Sequence, residues 1–136
     1  MKDKYIKSYR EWNHLKEILD SVDIPLPFFE REIWSVCIGV NIGIEIDGKG
    51  DNFERPALII KKFNRNHALI LPITRTDEPH KSIHIPLSHK NLDMRSVVII
   101  SQMQRISSHR LMHRIGILDI YQFMHVTEMI KKVLFS

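Results

Sequence analysis

A chain of 136 residues, 43% hydrophobic and 26% charged, has the size and composition of one folded domain, which excludes a disordered polymer. No apolar run approaches the roughly 20 residues that cross a bilayer, and the start Met1-Lys2-Asp3-Lys4-Tyr5 lacks the apolar stretch of a secretion signal. A formal net charge of +4 suits an anionic partner without naming one; the single cysteine, Cys37, excludes an internal disulfide, so a cytoplasmic protein is expected.

Residues 4–20 are expected to form a helix, because Tyr5, Tyr9, Trp12, Leu15 and Leu19 recur every three or four positions and share one face. Pro25 and Pro27 then stop it. Residues 31–38 read as the first strand, with Cys37 a buried structural thiol rather than a nucleophile. Gly39, Gly43, Gly48 and Gly50 punctuate an irregular segment through Asn52 that reads as a flap. Their spacing matches neither a GxGxxG fingerprint nor a P-loop.

Residues 56–62 and 67–74 are aliphatic, β-branched strands joined by the polar turn Asn64-Arg65-Asn66. A short strand over 82–87 is sent to a sheet edge by Pro86. Residues 96–101 are almost continuously apolar, as in a strand buried on both faces, and Gln102-Met103-Gln104-Arg105-Ile106 leads polar groups out of it. Residues 114–118 read as the last strand. Asp119 is placed as an N-cap with Gln122 three residues on. The helix that follows would pack through Ile120, Phe123, Met124, Thr127, Ile130 and Leu134. About five short strands and two helices make an α+β fold, a small curled sheet or barrel flanked by helices.

Eight histidines invite a metal hypothesis, but with no cysteine pair and no HExxH helix no zinc site is expected. Arg105, Arg110 and Arg114 with His109 and His113 form one basic cluster, and Lys61, Lys62 and Arg65 another. Each reads equally as a solvated face or as a nucleic-acid surface. The sharper signal is a pair: Arg55 stands at the mouth of one apolar strand and Thr74 ends the next. If those strands form a hairpin, a fixed cation and a neutral hydroxyl emerge at the same end, a combination suited to a phosphodiester. Taken singly, Arg55 reads as a strand-edge cap or a partner of Glu45 or Glu54, and Thr74 as an ordinary β-branched strand residue.

The flanking residues resolve this. Arg31-Glu32-Ile33-Trp34, Gly43-Ile44-Glu45, Arg55-Pro56-Ala57-Leu58-Ile59-Ile60 and Pro72-Ile73-Thr74 follow one another in the order seen in MazF/PemK toxin endoribonucleases, which this sequence resembles. Val98-Ile99-Ile100-Ser101-Gln102, Ile106-Ser107-Ser108-His109-Arg110-Leu111 and Ile115-Gly116-Ile117-Leu118 continue the likeness, so that it spans about residues 30–134. Three departures stand out. Gly48-Lys49-Gly50-Asp51-Asn52 lengthens the loop before Arg55, Gln104 stands where the family often has arginine, and the first 28 or so residues have no counterpart in the minimal family.

The resemblance implies an SH3-like β-barrel with a C-terminal helix over 29–136, preceded by a helical extension over 1–28. It implies a symmetric homodimer, single-stranded RNA in an interface groove, and a cognate antitoxin that blocks the groove. Arg55 and Thr74 would be catalytic, with Arg55 as general acid-base. Because arginine, with a pKa above about 12, is a poor proton acceptor, Glu45 or a histidine is the candidate to share proton transfer. Lys61, Arg75, Gln102, Gln104 and Arg105 are the expected RNA contacts, Gln102 either holding a base or supporting the loop. No metal or cofactor is expected. Two other classes compete: a non-catalytic toxin of the same barrel that binds a protein such as DNA gyrase, and an RNA-binding module without cleavage.

Overall fold

In the computed structural model, which describes residues 6–22 and 26–136, the chain's centre is a long hairpin. Strand β2, Glu54–Asn64, returns through Arg65 and Asn66 into β3, His67–Arg75. Asn64 closes the turn by accepting from the Asn66 backbone at 2.7 Å and from the His67 ring at 3.1 Å. Strand β1, Glu32–Cys37, pairs with β2 on one side and with β7, Leu111–Ile117, on the other. Beyond β3 lie β5, Ser96–Ile99, and the edge strand β4, His84–Pro86. All of these pairings are antiparallel.

Strand β3 forks. Its first half, His67 to Ile70, pairs with β6, Gln104–Ser107, while its last three residues, Ile73 to Arg75, pair with β5. The main path runs β4-β5-β3-β2-β1-β7, and its two ends do not meet. The expected α+β class of curled sheet and flanking helices holds, and the sheet stays open rather than closing into a barrel. Helix α2, Ile120–Phe135, covers the apolar face instead, packing Phe123, Val126, Met129 and Ile130 onto it, so no further strand is needed there.

Two cores explain why β2 and β3 read as nearly unbroken apolar runs. Ala57, Ile59, Ala68 and Ile70 point to one side, with Phe28, Trp34 and Val36. Leu58, Leu71 and Ile73 point to the other, with Ile33, Val98 and Leu118. Strand residues alternate faces, and here both faces are covered. Each fully buried leucine or isoleucine contributes about 1.5–3 kcal/mol, so the hairpin is the most firmly held part of the sheet.

Helix α1 runs Tyr9–Asp20, shorter than the 4–20 expected; Tyr5 and Pro25 lie outside the described residues. Trp12 is buried, with Leu15 and Leu19 beside it, against Cys37, Val40 and Phe53. The first strand falls where its pattern placed it. The apolar run 96–101 is strand only to Ile99, because Ile100–Gln102 turns as a 3₁₀ helix and exposes Ser101. Strand β6 follows where only a polar exit was expected, and β7 starts three residues before the expected 114.

Asp119 caps α2 as expected, accepting from the Tyr121 and Gln122 backbone N–H groups at 3.1 Å each. Gln122 does not reach back to close a capping box. Its side chain instead pairs with both backbone groups of Ser88, at 2.8 and 2.9 Å. The buried stripe of α2 is rotated from the expected one: Val126 is fully buried, whereas Ile120, Met124 and Leu134 are exposed. Among the described residues no helix is long and apolar enough to cross a membrane.

Candidate active site

The β2–β3 register places the key pair. Ala57 lies opposite Pro72, and continuing that antiparallel register by two residues brings Arg55 opposite Thr74. Opposed residues of neighbouring strands project from the same face. Arg55 Nη1 accordingly donates to Thr74 Oγ1 at 3.2 Å. A second bond fixes the guanidinium plane: Nε donates to the backbone carbonyl of Asp47 at 2.9 Å. Both side chains are half-buried at the mouth of a cleft of about 470 Å³.

Pro56, Ile73, Leu92 and Ile115 form the apolar part of that cleft, and Lys49 and Arg75 bring further positive charge to it. Two carboxylates border it as well. Glu54 accepts from the Ser35 hydroxyl at 2.8 Å and lies 3.9 Å from the His113 ring. Asp93 pairs with Arg75 at 3.7 Å and with Arg95 at 3.5 Å. A backbone hydrogen bond from Arg95, at 2.8 Å, and the charges of Arg95 and Arg75 hold the Asp93 carboxyl below the usual carboxylate range. A phosphate placed against Arg55 and Thr74 would therefore meet a fixed cation, a hydroxyl and a nearby carboxylate.

Residues 32–134 match the family model described as PemK-like, MazF-like toxin of type II toxin–antitoxin system. The chain belongs to that family. No protein of curated function matches its sequence. Solved structures resemble the MazF-like chain in fold. MazF from Deinococcus radiodurans shares 16% identity at a TM-score of 0.62, covering 82% of this chain and 98% of its own. The Mycobacterium tuberculosis toxin MazF-mt6 shares 21% at 0.55, covering 76% and 95%. A mycobacterial endoribonuclease solved in complex with its cognate antitoxin shares 11% at 0.57, covering 79% and 95%.

In this MazF-like fold the expected RNA contacts divide among three places. Arg75 borders the Arg55 cleft. Glu45, Gln102 and Gln104 line a second pocket of about 320 Å³, closed by Asn41 and Ile46. There Glu45 accepts from the Ile42 backbone at 3.0 Å. Gln102 supports the loop, donating to the Ile44 carbonyl at 3.1 Å and accepting from the Ile46 N–H at 3.2 Å. Lys61 and Arg105 flank Leu69 in one rank across β2, β3 and β6. Six residues of extended strand separate Lys61 from Arg55, roughly 20 Å, and Lys61 is ion-paired with Glu30 at 3.5 Å.

Two contributors at the cleft escape sequence reasoning. Asp47 acts through its main-chain carbonyl, which no side-chain pattern signals. Glu54 carries a visible clue, its place immediately before Arg55, which by itself suggests only an ion-pair partner. Among the described residues no three His, Cys, Asp or Glu side chains gather as a metal site. His84 Nδ1 accepts from the His80 backbone at 2.9 Å, and the two rings meet edge to face at 6.5 Å. Cys37 is buried, donates to the Asn52 carbonyl at 3.0 Å, and has its thiol pushed up to about 11 by burial.

Proposed function

We propose that this toxin cleaves single-stranded RNA at the Arg55–Thr74 cleft, with selectivity for the bases around the cut. The observation that carries this reading is the 3.2 Å contact between the Arg55 guanidinium and the Thr74 hydroxyl at the mouth of an open cleft. The nucleophile is the ribose 2′-OH next to the scissile phosphate, which restricts the reaction to RNA. Because the attacking group belongs to the substrate, no metal-bound water is required.

In the proposed reaction the 2′-oxygen forms a bond to phosphorus while the bond from phosphorus to the 5′-oxygen breaks. A 2′,3′-cyclic phosphate and a 5′-OH end result. Negative charge gathers on the non-bridging oxygens, where Arg55 and the Thr74 hydroxyl act as preorganised donors, each worth about 10²–10³ in rate. The 2′-OH proton passes to a carboxylate. Glu54, bordering the cleft, is better placed for this than Glu45 in the second pocket. Arg55 hands a proton to the departing 5′-oxygen, a stronger base than the guanidine left behind, and regains it from Glu54 through water.

The reading extends to partners. Solved relatives include a mycobacterial endoribonuclease bound to its cognate antitoxin and a MazE–MazF complex from Deinococcus radiodurans. By analogy, a cognate antitoxin segment would cover the cleft of a homodimer of this toxin. The test is a long RNA incubated with purified protein, with and without chelator, followed by analysis of fragment ends. Cyclic-phosphate and 5′-OH ends that persist in chelator and vanish in Arg55→Ala are expected. Intact RNA retained by the protein would favour a binding module. Neither binding nor cleavage would favour a protein-directed toxin.

A further inference from the structure

A lysine near a chain start is ordinarily a wet, mobile group, yet Lys7 turns inward. Its side chain is only 17% exposed and that of its partner Asp47 only 15%, with Nζ 3.4 Å from Asp47 Oδ2. The same ammonium donates to the Asn41 carbonyl and, at 3.4 Å, to the Gly43 carbonyl. An ammonium has three donors, and here three acceptors from one loop surround it. Tyr9 adds a bond to the Asn41 carbonyl at 3.3 Å.

That loop is a closed unit. Gly48 N–H donates to the Gly39 carbonyl at 2.8 Å, shutting its neck. Asp47 Oδ1 accepts from the Asn41 backbone at 2.7 Å, and Asn41 Nδ2 donates to the Ile46 carbonyl at 2.8 Å. Trp12 of α1 is wedged against the neck, where a Cβ on Gly39 would stand 2.2 Å from its ring. The Arg110 guanidinium lies 5.4 Å over that ring and bonds the carbonyls of Cys37 and Ile38 at 3.2 Å each. From this unit the Asp47 carbonyl reaches Arg55 Nε. Lys7, two residues ahead of α1, and Trp12 within it both precede the family-matched residues 32–134.

We propose that the N-terminal helix is a brace for the active site and that Lys7 is a positioning residue for RNA cleavage. Lys7 holds residues 39–48 in the conformation in which the Asp47 carbonyl sets the direction of the Arg55 guanidinium. This rests on Arg55 being the cleavage residue. Without the ammonium, Asn41, Gly43 and Asp47 lose the donor that ties them together, and Asp47 shifts with its loop. Its carbonyl turns with it, and a misplacement of about 1 Å at a reacting centre costs on the order of 10²-fold in rate.

The test compares Lys7→Met, which keeps the stem and removes the donors, with Lys7→Arg, which keeps them. In the Met variant the Arg55 Nε–H and the Asn41 amide should lose at least about tenfold in NMR hydrogen-exchange protection, while the Leu58 and Leu71 amides of the hairpin keep theirs. kcat on single-stranded RNA should fall about 10- to 100-fold with KM nearly constant, because the brace does not touch substrate. Lys7→Arg should retain most of both properties. Unchanged Arg55 Nε–H protection in Lys7→Met overturns the proposal, as does lost protection with unchanged kcat. Equal cleavage by wild type and Arg55→Ala would defeat the cleavage reading instead, and the Nε–H measurement would still decide whether Lys7 holds the loop.

Discussion

Arg55 donates to the hydroxyl of Thr74 across the end of the central hairpin, with 3.2 Å between Nη1 and Oγ1. A threonine hydroxyl has one hydrogen and two acceptor positions. With an acceptor position occupied by Arg55, its hydrogen is left for another acceptor, and Thr74 lines the cleft. Thr74→Val should therefore lower kcat about 10²-fold with little loss of stability, whereas Thr74→Ser should keep most activity. Steady-state cleavage of a short RNA by both variants checks this; equal activity of Val and wild type would remove Thr74 from the reaction.

The two candidate carboxylates can be separated. Glu54 borders the Arg55 cleft, and Glu45 lies in the pocket held by Gln102. Loss of a positioned proton acceptor costs about 10²–10⁴ in rate, so Glu54→Gln should fall within that range while Glu45→Gln stays close to wild type in kcat. The opposite ranking, measured on the same RNA, would return the role to Glu45.

Much of the site was legible because hairpins are local. The apolar runs around Asn64-Arg65-Asn66 specify antiparallel pairing and hence that Arg55 and Thr74 share an end. The same geometry makes Lys61, six residues up the strand, remote from that end, although its charge alone suggested an RNA contact. The loop was illegible for the converse reason: its shape is imposed by Lys7 and Gln102, 34 or more residues away in sequence from Asn41 and Ile46. Strand β6 is not legible in the sequence, because Gln104 and Arg105 carry no apolar alternation yet pair with Ile70 and Leu69 of β3. Asp119 was readable as a cap because a cap acts within three residues; Gln122 was not, because its partner is Ser88.

Glycines 39 and 50 make a controlled comparison. Both have left-handed φ, +85° and +74°, a conformation that costs other residues roughly 1–2 kcal/mol. Only Gly39 is also pressed by a neighbour, the Trp12 ring, while nothing lies within 4 Å of a Cβ on Gly50. Gly50→Ala should cost about 1 kcal/mol and Gly39→Ala at least about twice that. Urea unfolding midpoints of the two variants give the answer, and equal midpoints would mean that Trp12 yields freely.

Cys37 offers a pH signature. Burial raises its thiol from 9.0 to about 11, against the lowering effect of the Arg110 charge. The folded state thus binds the proton more tightly than the unfolded state. Its contribution to stability is complete below pH 9.0 and is lost as pH rises toward about 11. Cys37→Ala should lack this alkaline decline in a series of unfolding curves. At pH 8 the native thiol should also resist iodoacetamide that alkylates the urea-unfolded chain; rapid native labelling would contradict its burial.

A sheet whose main path stops short of closure keeps a free border at each end of that path, and unpaired main-chain groups on a border invite copies of the chain to stack into fibres. Here each border is spoiled. Strand β4 is three residues long and ends in Pro86, which lacks an N–H to offer. Strand β7 follows β1 with two breaks in register and carries exposed His113 and Arg114. A flat incoming strand would meet an interrupted row of partners at one border and an irregular, cationic one at the other. The protein can leave its sheet open around the cleft without that openness becoming a route to aggregation.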